Sequence, residues 1–257
     1  PDQAIEAFIE AARVDPETIE LHFALGNLFR RRGETDRAIR VHQNLIERDG
    51  LSPRQRLHAL SELGQDYLKA GLLDRAEEIF LKLRGTDRDE EALQNLLEIY
   101  QQEKEWAKAV SIAQAMPNHS DHLWQKEIAE FSCEMAANEM LNDRHDEARQ
   151  LLDDALAVNR KCVRATLLLG DLAAKTGATD AAIDHWKSIE QQNPVYLSLV
   201  AEKLMAAHVQ LGRKEQGIQL LRSWLERNPS LDLLDAVFRA ELDNGGAEAA
   251  YALVRDE

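Results

Sequence analysis

Aromatic side chains are scarce in this sequence, 5% of 257 residues, which argues against a core built mainly on Phe, Tyr and Trp. Proline and glycine are sparse as well, at 6 and 12 residues, so helices can run with few interruptions. Strict alternation of Val, Ile, Thr and Tyr is missing, which leaves β-strands without support. No stretch of about 18 uncharged apolar residues occurs, so nothing in the sequence reads as membrane-spanning, and no signal peptide opens it. The two cysteines, Cys133 and Cys162, form no CxxC pair. They offer neither a zinc knuckle nor a redox motif, and two isolated cysteines in a large helical chain read as reduced and cytosolic.

Positive charge is also in short supply. Lys and Arg number 31 against 46 Asp and Glu, a net of −15, which suits nucleic acid poorly because phosphates are bound by Lys and Arg. The deficit is uneven: residues 1–88 carry 14 basic and 16 acidic residues, residues 89–257 carry 17 and 30. Common catalytic signatures are absent too. There is no GxxxxGKS or GxxxxGKT, GxGxxG, HExxH or GxSxG.

What is present is hydrophobic content of 44%, 30% charged residues and an internal repeat. Leu25-Gly26 with Phe29, Gly33 and Ala38 is echoed by Leu63-Gly64 with Tyr67, Gly71 and Ala76, and by Leu169-Gly170 with Gly177, Ala182, Trp186 and Pro194. Small residues of this kind let two helices approach, while the large ones fill the space beside them. The small helix-B markers fall at Ala4, Ala38, Ala76, Ala109, Ala148, Ala182, Gly217 and Ala250, with intervals of 34, 38, 33, 39, 34, 35 and 33. Self-similarity at about 34 residues is the mark of tetratricopeptide repeats, pairs of antiparallel helices stacked in a solenoid. The fold expected is therefore all-α: one array over residues 1–257 with roughly 15 helices and a truncated repeat at each end. At the N-terminus only a helix B with Ala4, Phe8, Ala11 and Pro16 is expected. Asn244-Gly245-Gly246 precedes a last helix B holding Ala250. The extra residues of the first 38-residue interval fall at the turn-rich Asp49-Gly50-Leu51-Ser52-Pro53. An unpaired helix at each end is expected to fray or to pack on a second copy, which leaves room for a homodimer. The chain opens in mid-pattern, as an excised fragment would.

Chemistry-bearing residues have bland readings within such an array. His119 and His122, with Asp121 and Glu127 nearby, supply too few ligands for an ordinary zinc site, and Pro117 to Asp121 reads as a turn and helix cap. His22 and His42 occupy packing positions, as do Trp106, Trp186 and Trp224. Asp89-Glu90-Glu91, Asp153-Asp154 and Glu127 with Glu130 read as solvated charge. Cys133 has no neighbour in sequence that would activate it. No catalytic, cofactor-binding or metal-binding residue is assigned.

The concave side of a solenoid is lined by its A helices. That places Glu20, Phe23, Asn27, Arg30 and Arg31 on the groove, followed by His58, Ser61, Gln65, Leu68 and Lys69, then Glu91, Gln94, Glu98, Gln101 and Gln102. Amides bond peptide backbones, and Arg clamps carboxylates in bidentate fashion. Asn27, Arg30, Arg31, Gln65 and Lys69 are therefore the candidate partner-binding residues. An alternative stands beside this: Arg30-Arg31-Arg32 also complements a helix C-terminus before Gly33. Later repeats place Glu130, Cys133, Ala137, Met140 and Leu141, and then Leu199, Glu202, Ala206, Val209 and Gln210, on a more apolar groove suited to an amphipathic helix.

The run Glu20 to Arg30 with Arg37 to Gln43 resembles the lipopolysaccharide assembly protein B family of Gram-negative bacteria. Leu63 to Tyr67, Gly71 to Glu77, Ile99-Tyr100-Gln101 with Glu105-Trp106, and Ile128 to Phe131 with Cys133-Glu134 continue the likeness. The resemblance implies a cytoplasmic tetratricopeptide region attached to the inner membrane by an N-terminal helix. It also implies a small C-terminal rubredoxin-like domain whose paired CxxC motifs hold zinc or iron; the sequence contains neither anchor nor CxxC pair. It further implies a non-enzymatic adaptor that promotes degradation of the lipid A pathway deacetylase by an FtsH-type membrane protease. Other inner-membrane lipopolysaccharide proteins would be partners, nucleic acid would not. The nearly neutral, Arg-bearing N-terminal third would then lie nearest the anionic membrane surface. Two further readings stay open: a generic scaffold for another envelope assembly or secretion complex, and the repeat arm of an enzyme.

Overall fold

The computed structural model describes residues 6, 10, 18–118, 120–243 and 245–256. The N-terminal helix B expected around Ala4, Phe8, Ala11 and Pro16 lies outside them, as do His119 and Asn244. Among the described residues there are fourteen α-helices, one 3-10 turn and no strand, so the all-α repeat architecture stands. The chain divides between residues 119 and 120 into two compact units. The first contains α1 (Ile19–Arg31), α2 (Thr35–Ile46), α3 (Pro53–Lys69), α4 (Leu73–Leu83), α5 (Asp89–Gln102) and α6 (Trp106–Ala115). The second contains α7 (His122–Leu141), α8 (His145–Val158), α9 (Val163–Lys175), α10 (Thr179–Gln192), the 3-10 turn Pro194–Tyr196, α11 (Ser198–Gln210), α12 (Lys214–Arg227), α13 (Leu231–Asp243) and α14 (Ala247–Asp256). Odd-numbered helices are the A helices and even-numbered ones the B helices of successive repeats.

The small markers do the packing work expected of them. A Cβ built on Gly26 would lie 2.4 Å from the ring of His42, one on Gly64 2.7 Å from Phe80, and one on Gly170 2.2 Å from Trp186. Each glycine thus admits a ring from the B helix of its own repeat. Where the same position of the A helix is Leu97, the partner position shrinks to Ala113, and both are buried. Volume is conserved across the pair while its two halves are exchanged, as dense interior packing requires.

Each of the seven A helices ends in one Schellman turn. In α1 the amide of Gly33 donates to the carbonyl of Arg30, and that of Glu34 to Phe29. The residue in the left-handed region is glycine in five repeats, but Lys104 (φ 57°) and Asp143 (φ 56°) take its place after α5 and α7. Those are the two repeats in which no sequence glycine announced the turn.

The stretched intervals have a different cause from the one the turn residues suggested. The link before α3 is short, and Ser52 closes it with a capping box to Gln55. The additional residues lengthen the A helix at its N-terminal end: α3 has 17 residues and α7 has 20, against 13 in α1, α9, α11 and α13. A capping Ser followed by Pro at the first helical turn starts a helix early. At the C-terminal end α14 is paired. Tyr251 meets Phe238 of α13 edge-on at 5.8 Å and Ala250 is fully buried, so the helix expected to stand alone here has its partner.

Candidate functional site

The five residues picked out as partner-binding separate into two groups. Arg30 is turned inward, across the gap between α1 and α3. Its Nη1 donates to Asp66 Oδ1 at 2.8 Å and to the Glu62 carbonyl at 3.1 Å. Its Nη2 donates to Glu62 Oε2 at 2.6 Å and to Asn27 Oδ1 at 2.8 Å. Asp66 is fully buried and its second oxygen meets Nδ1 of the equally buried His42 at 2.5 Å. His58 Nε2 stands 3.1 Å from Glu62 Oε1 and stacks on Phe23 at 4.3 Å. Burial opposes ionisation of both Glu62 and Arg30. The mutual hydrogen bonds and charge outweigh it, so the Glu62 carboxyl falls below its usual range and the Arg30 guanidinium rises above its own.

Gln65 is likewise committed. Its amide donates to Asn95 Oδ1 of α5 at 2.8 Å, and Asn95 in turn donates to the Glu91 carbonyl at 2.7 Å. Ser61 bonds Glu91 Oε1 at 2.5 Å on the same seam. Arg30 and Gln65 thus join A helices of successive repeats to one another, and Asn27 braces Arg30 from within α1. Arg31 and Lys69 behave differently. Both side chains are exposed, and neither has a partner among the described residues. Arg31 borders a depression of about 300 Å³ with Ala24, Asn27 and Leu28.

His42 has the burial expected of a packing position and is hydrogen-bonded to Asp66 as well. His22 contacts Arg48 at 2.9 Å. Trp186 and Trp224 are buried, while Trp106 is half-buried. Asp121 occupies the cap position of α7, although its side chain makes no capping bond. Among the described residues no three His, Cys, Asp or Glu side chains converge as a metal site.

A second site had no counterpart in the sequence reading. In the second unit an open cleft of about 720 Å³ is lined by His122, Lys126 and Glu130 of α7, by Asn159 and Lys161 of the turn between α8 and α9, by Val163, Arg164 and Leu167 of α9, and by Gln192, Asn193, Tyr196 and Leu199. Arg164 is held by Glu130 and Glu134 at 3.3 and 2.8 Å. The side-chain ammonium groups of Lys126 and Lys161 have no partner among the described residues. The surrounding unit is acidic, with 15 Lys and Arg against 24 Asp and Glu over residues 120–257, so a cleft with three cations and one carboxylate reverses the local sign. The signal that could have found it is the fold itself: its lining comes from three separate segments, residues 122–130, 159–167 and 192–199, and only repeat stacking brings them together.

The cysteines are not isolated in space. Cys133 of α7 and Cys162, the residue capping α9, bring their sulfurs to 3.8 Å. Their separation by 29 positions in sequence hid a contact that one repeat interval creates.

No described helix is long and apolar enough to cross a membrane. Tetratricopeptide repeat family models match residues 139–195 and 21–54. Among solved structures, the complex titled Naa15/Naa10 bound to HypK-THB is 17% identical with a TM-score of 0.52, over 92% of this chain and 36% of that one. The C-terminal part of a tetratricopeptide repeat protein from Cytophaga hutchinsonii is 13% identical with a TM-score of 0.50, over 91% of this chain and 93% of that one. Both likenesses concern fold alone. Lipopolysaccharide assembly protein B of Escherichia coli (strain K12) is 36% identical across 98% of this chain. The protein of the same name from Haemophilus influenzae is 35% identical across 82%. The chain spans 65% and 56% of the lengths of these two relatives. With 36% identity to the Escherichia coli protein across 98% of its own length, the chain belongs to the lipopolysaccharide assembly protein B family.

Proposed function

We propose that this chain is the repeat region of a non-enzymatic adaptor in lipopolysaccharide assembly, acting at the cytoplasmic side of the inner membrane. In this reading it brings the lipid A pathway deacetylase to an FtsH-type membrane protease and so limits lipopolysaccharide synthesis. The observation that carries the reading is the 36% identity across 98% of the chain to a relative named for lipopolysaccharide assembly.

Arg31 and Lys69 are the groove cations left over for a partner, since Asn27, Arg30 and Gln65 are engaged within the array. Reversing both, as Arg31→Glu with Lys69→Glu, is expected to weaken capture of the partner about tenfold while thermal stability stays within about 1 °C of wild type, because exposed charges contribute to association far more than to folding. The measurement is co-purification of the deacetylase and of the protease with tagged chain. Undiminished capture by the doubly reversed chain would remove these residues from the interface. Failure of wild type to retain either protein would favour a scaffold for another envelope complex.

A further inference from the structure

Cys133 and Cys162 pack in one core cluster with Ala129, Leu152 and Leu169, and their placement there allows chemistry beyond packing. Both are buried, at 0% and 3% exposure, and their sulfurs touch at 3.8 Å. They belong to the A helices of two successive repeats, so a bond between them would tie one repeat to the next. Cys162 occupies the cap position of α9, where free backbone N–H groups favour negative charge. Glu130 Oε1 stands 3.9 Å from its sulfur. Lys161, Val163 and Arg164, which flank Cys162 in the chain, line the 720 Å³ cleft, and a small solute in that cleft reaches the wall behind which the thiol sits.

We propose that Cys133 and Cys162 form an oxidative modification site, closed to an inter-repeat disulfide by a small hydroperoxide entering through the cleft. The two thiols have distinct parts. The hydrogen bond from Cys133, and those from the Ala165 and Arg164 amides, hold the Cys162 thiol below its usual range despite burial. Donating that bond, together with burial, pushes Cys133 up. The place of Cys162 at the N-terminal cap of α9, with Glu130 at 3.9 Å to take its proton, makes it the attacking sulfur and Cys133 the resolving one. The Cys162 proton passes to Glu130, and the thiolate attacks one peroxide oxygen. The O–O bond breaks, the departing hydroxide takes up the proton as water, and Cys162 is left as a sulfenic acid. Cys133 sulfur then attacks Cys162 sulfur. The S–O bond breaks, and the hydroxide leaves with the Cys133 proton as a second water. The dithiol loses two electrons and two hydrogens, and one hydrogen peroxide becomes two waters. Holding the second thiol in contact makes this last step intramolecular, which is why it precedes further oxidation of the sulfenic acid.

The test treats the folded, reduced chain with hydrogen peroxide, blocks remaining thiols by alkylation and digests with trypsin. Cleavage after Lys126, Arg144, Lys161 and Arg164 places Cys133 in residues 127–144 and Cys162 in residues 162–164. The expected product is these two peptides joined, two hydrogens lighter than their sum and separated again by dithiothreitol. In Cys133→Ser, dimedone is expected to trap a sulfenic acid on Cys162. In Cys162→Ser, Cys133 is expected to react at least tenfold more slowly. Two free thiols after excess peroxide, or sulfinic and sulfonic acids without the joined peptide, would overturn the proposal. So would disulfides found only between chains. The wild-type peptide map decides the question even where a serine variant folds poorly.

Discussion

Replacing Asp66 with alanine is expected to lower the unfolding free energy by about 3–5 kcal/mol, the usual cost of breaking a buried ion pair from one side. Asp66 has no exposed surface and serves two partners, the Arg30 guanidinium at 2.8 Å and the His42 ring at 2.5 Å. Without it the His42 Nδ1 loses its partner in a dry site, where Nε2 already has none. Arg30 keeps Glu62 and Asn27. The loss therefore measures an orphaned group and not the worth of the pair, and a double variant separates the two. Phe80 and Trp186 stand opposite their glycines as His42 stands opposite Gly26, and Ile99 in α5 and Leu172 in α9 occupy the A-helix position that Asp66 holds in α3. His42→Phe with Asp66→Leu follows that apolar solution and is expected to recover most of the loss. Urea unfolding followed by circular dichroism reads both variants. A cost below about 1 kcal/mol for Asp66→Ala would mean that water enters the site and the network is ornamental.

The same network gives stability a pH dependence of definite sign. The folded-state Glu62 carboxyl is held below its ordinary 4.5, so an unfolded chain binds its proton first as the medium is acidified. The stabilisation from Glu62 is complete above pH 4.5 and is lost as pH falls through the lowered folded value. Wild type should therefore lose stability below about pH 4.5, and Glu62→Gln, less stable at neutral pH, should lose less over the same acid range. Equal acid slopes for the two proteins would detach the network from the titration.

How much of this was legible in the sequence follows from the range of each interaction. Helix pairing was readable because Gly26, Gly64 and Gly170 each report a close approach within one repeat, to a ring sixteen positions on. Short-range chemistry of that kind leaves a periodic trace. The A-helix endings were readable at Gly33 and Gly71 and hidden at Lys104 and Asp143, which adopt the left-handed conformation without the residue that favours it. The lengthening of α3 and α7 was misplaced into a link, because Asp49-Gly50 and Ser52-Pro53 are turn residues whether they extend a loop or start a helix early. Ties between repeats left no trace. Asp66 lies two residues past Gly64 and looks like any helical acid. Its burial is decided by His42 and Arg30, 24 and 36 positions earlier. For the same reason Arg30 and Gln65 looked available from sequence, and Cys133 and Cys162 looked solitary.

Trp224 carries the second large effect. Its indole is fully buried in a cluster with Trp186, Leu197, Leu204 and Leu221, and truncation to alanine is expected to cost about 3–5 kcal/mol through lost transfer energy and a cavity that rigid helices refill only in part. The polar edge is a smaller matter. Trp224 Nε1 donates to Glu190 Oε2 of α10 at 3.0 Å, but Glu190 also accepts from Arg227 at 3.3 Å and Asn228 at 3.4 Å, so the carboxylate is not stranded when the indole goes. Trp224→Phe, which keeps a ring and removes the donor, should therefore cost roughly 1–2 kcal/mol. Trp106, in the same kind of repeat position but half-buried, should cost less on truncation than Trp224, because less apolar surface is returned to water. Hydrogen exchange adds the spatial reading. A solenoid's stability is close to a sum of repeat and nearest-neighbour terms, so amides of α10, α11 and α12 should lose protection before those of α7 and α8. Uniform loss across α7 to α14 would show instead that this unit unfolds as one cooperative block, and that Trp224 supports all of its repeats at once.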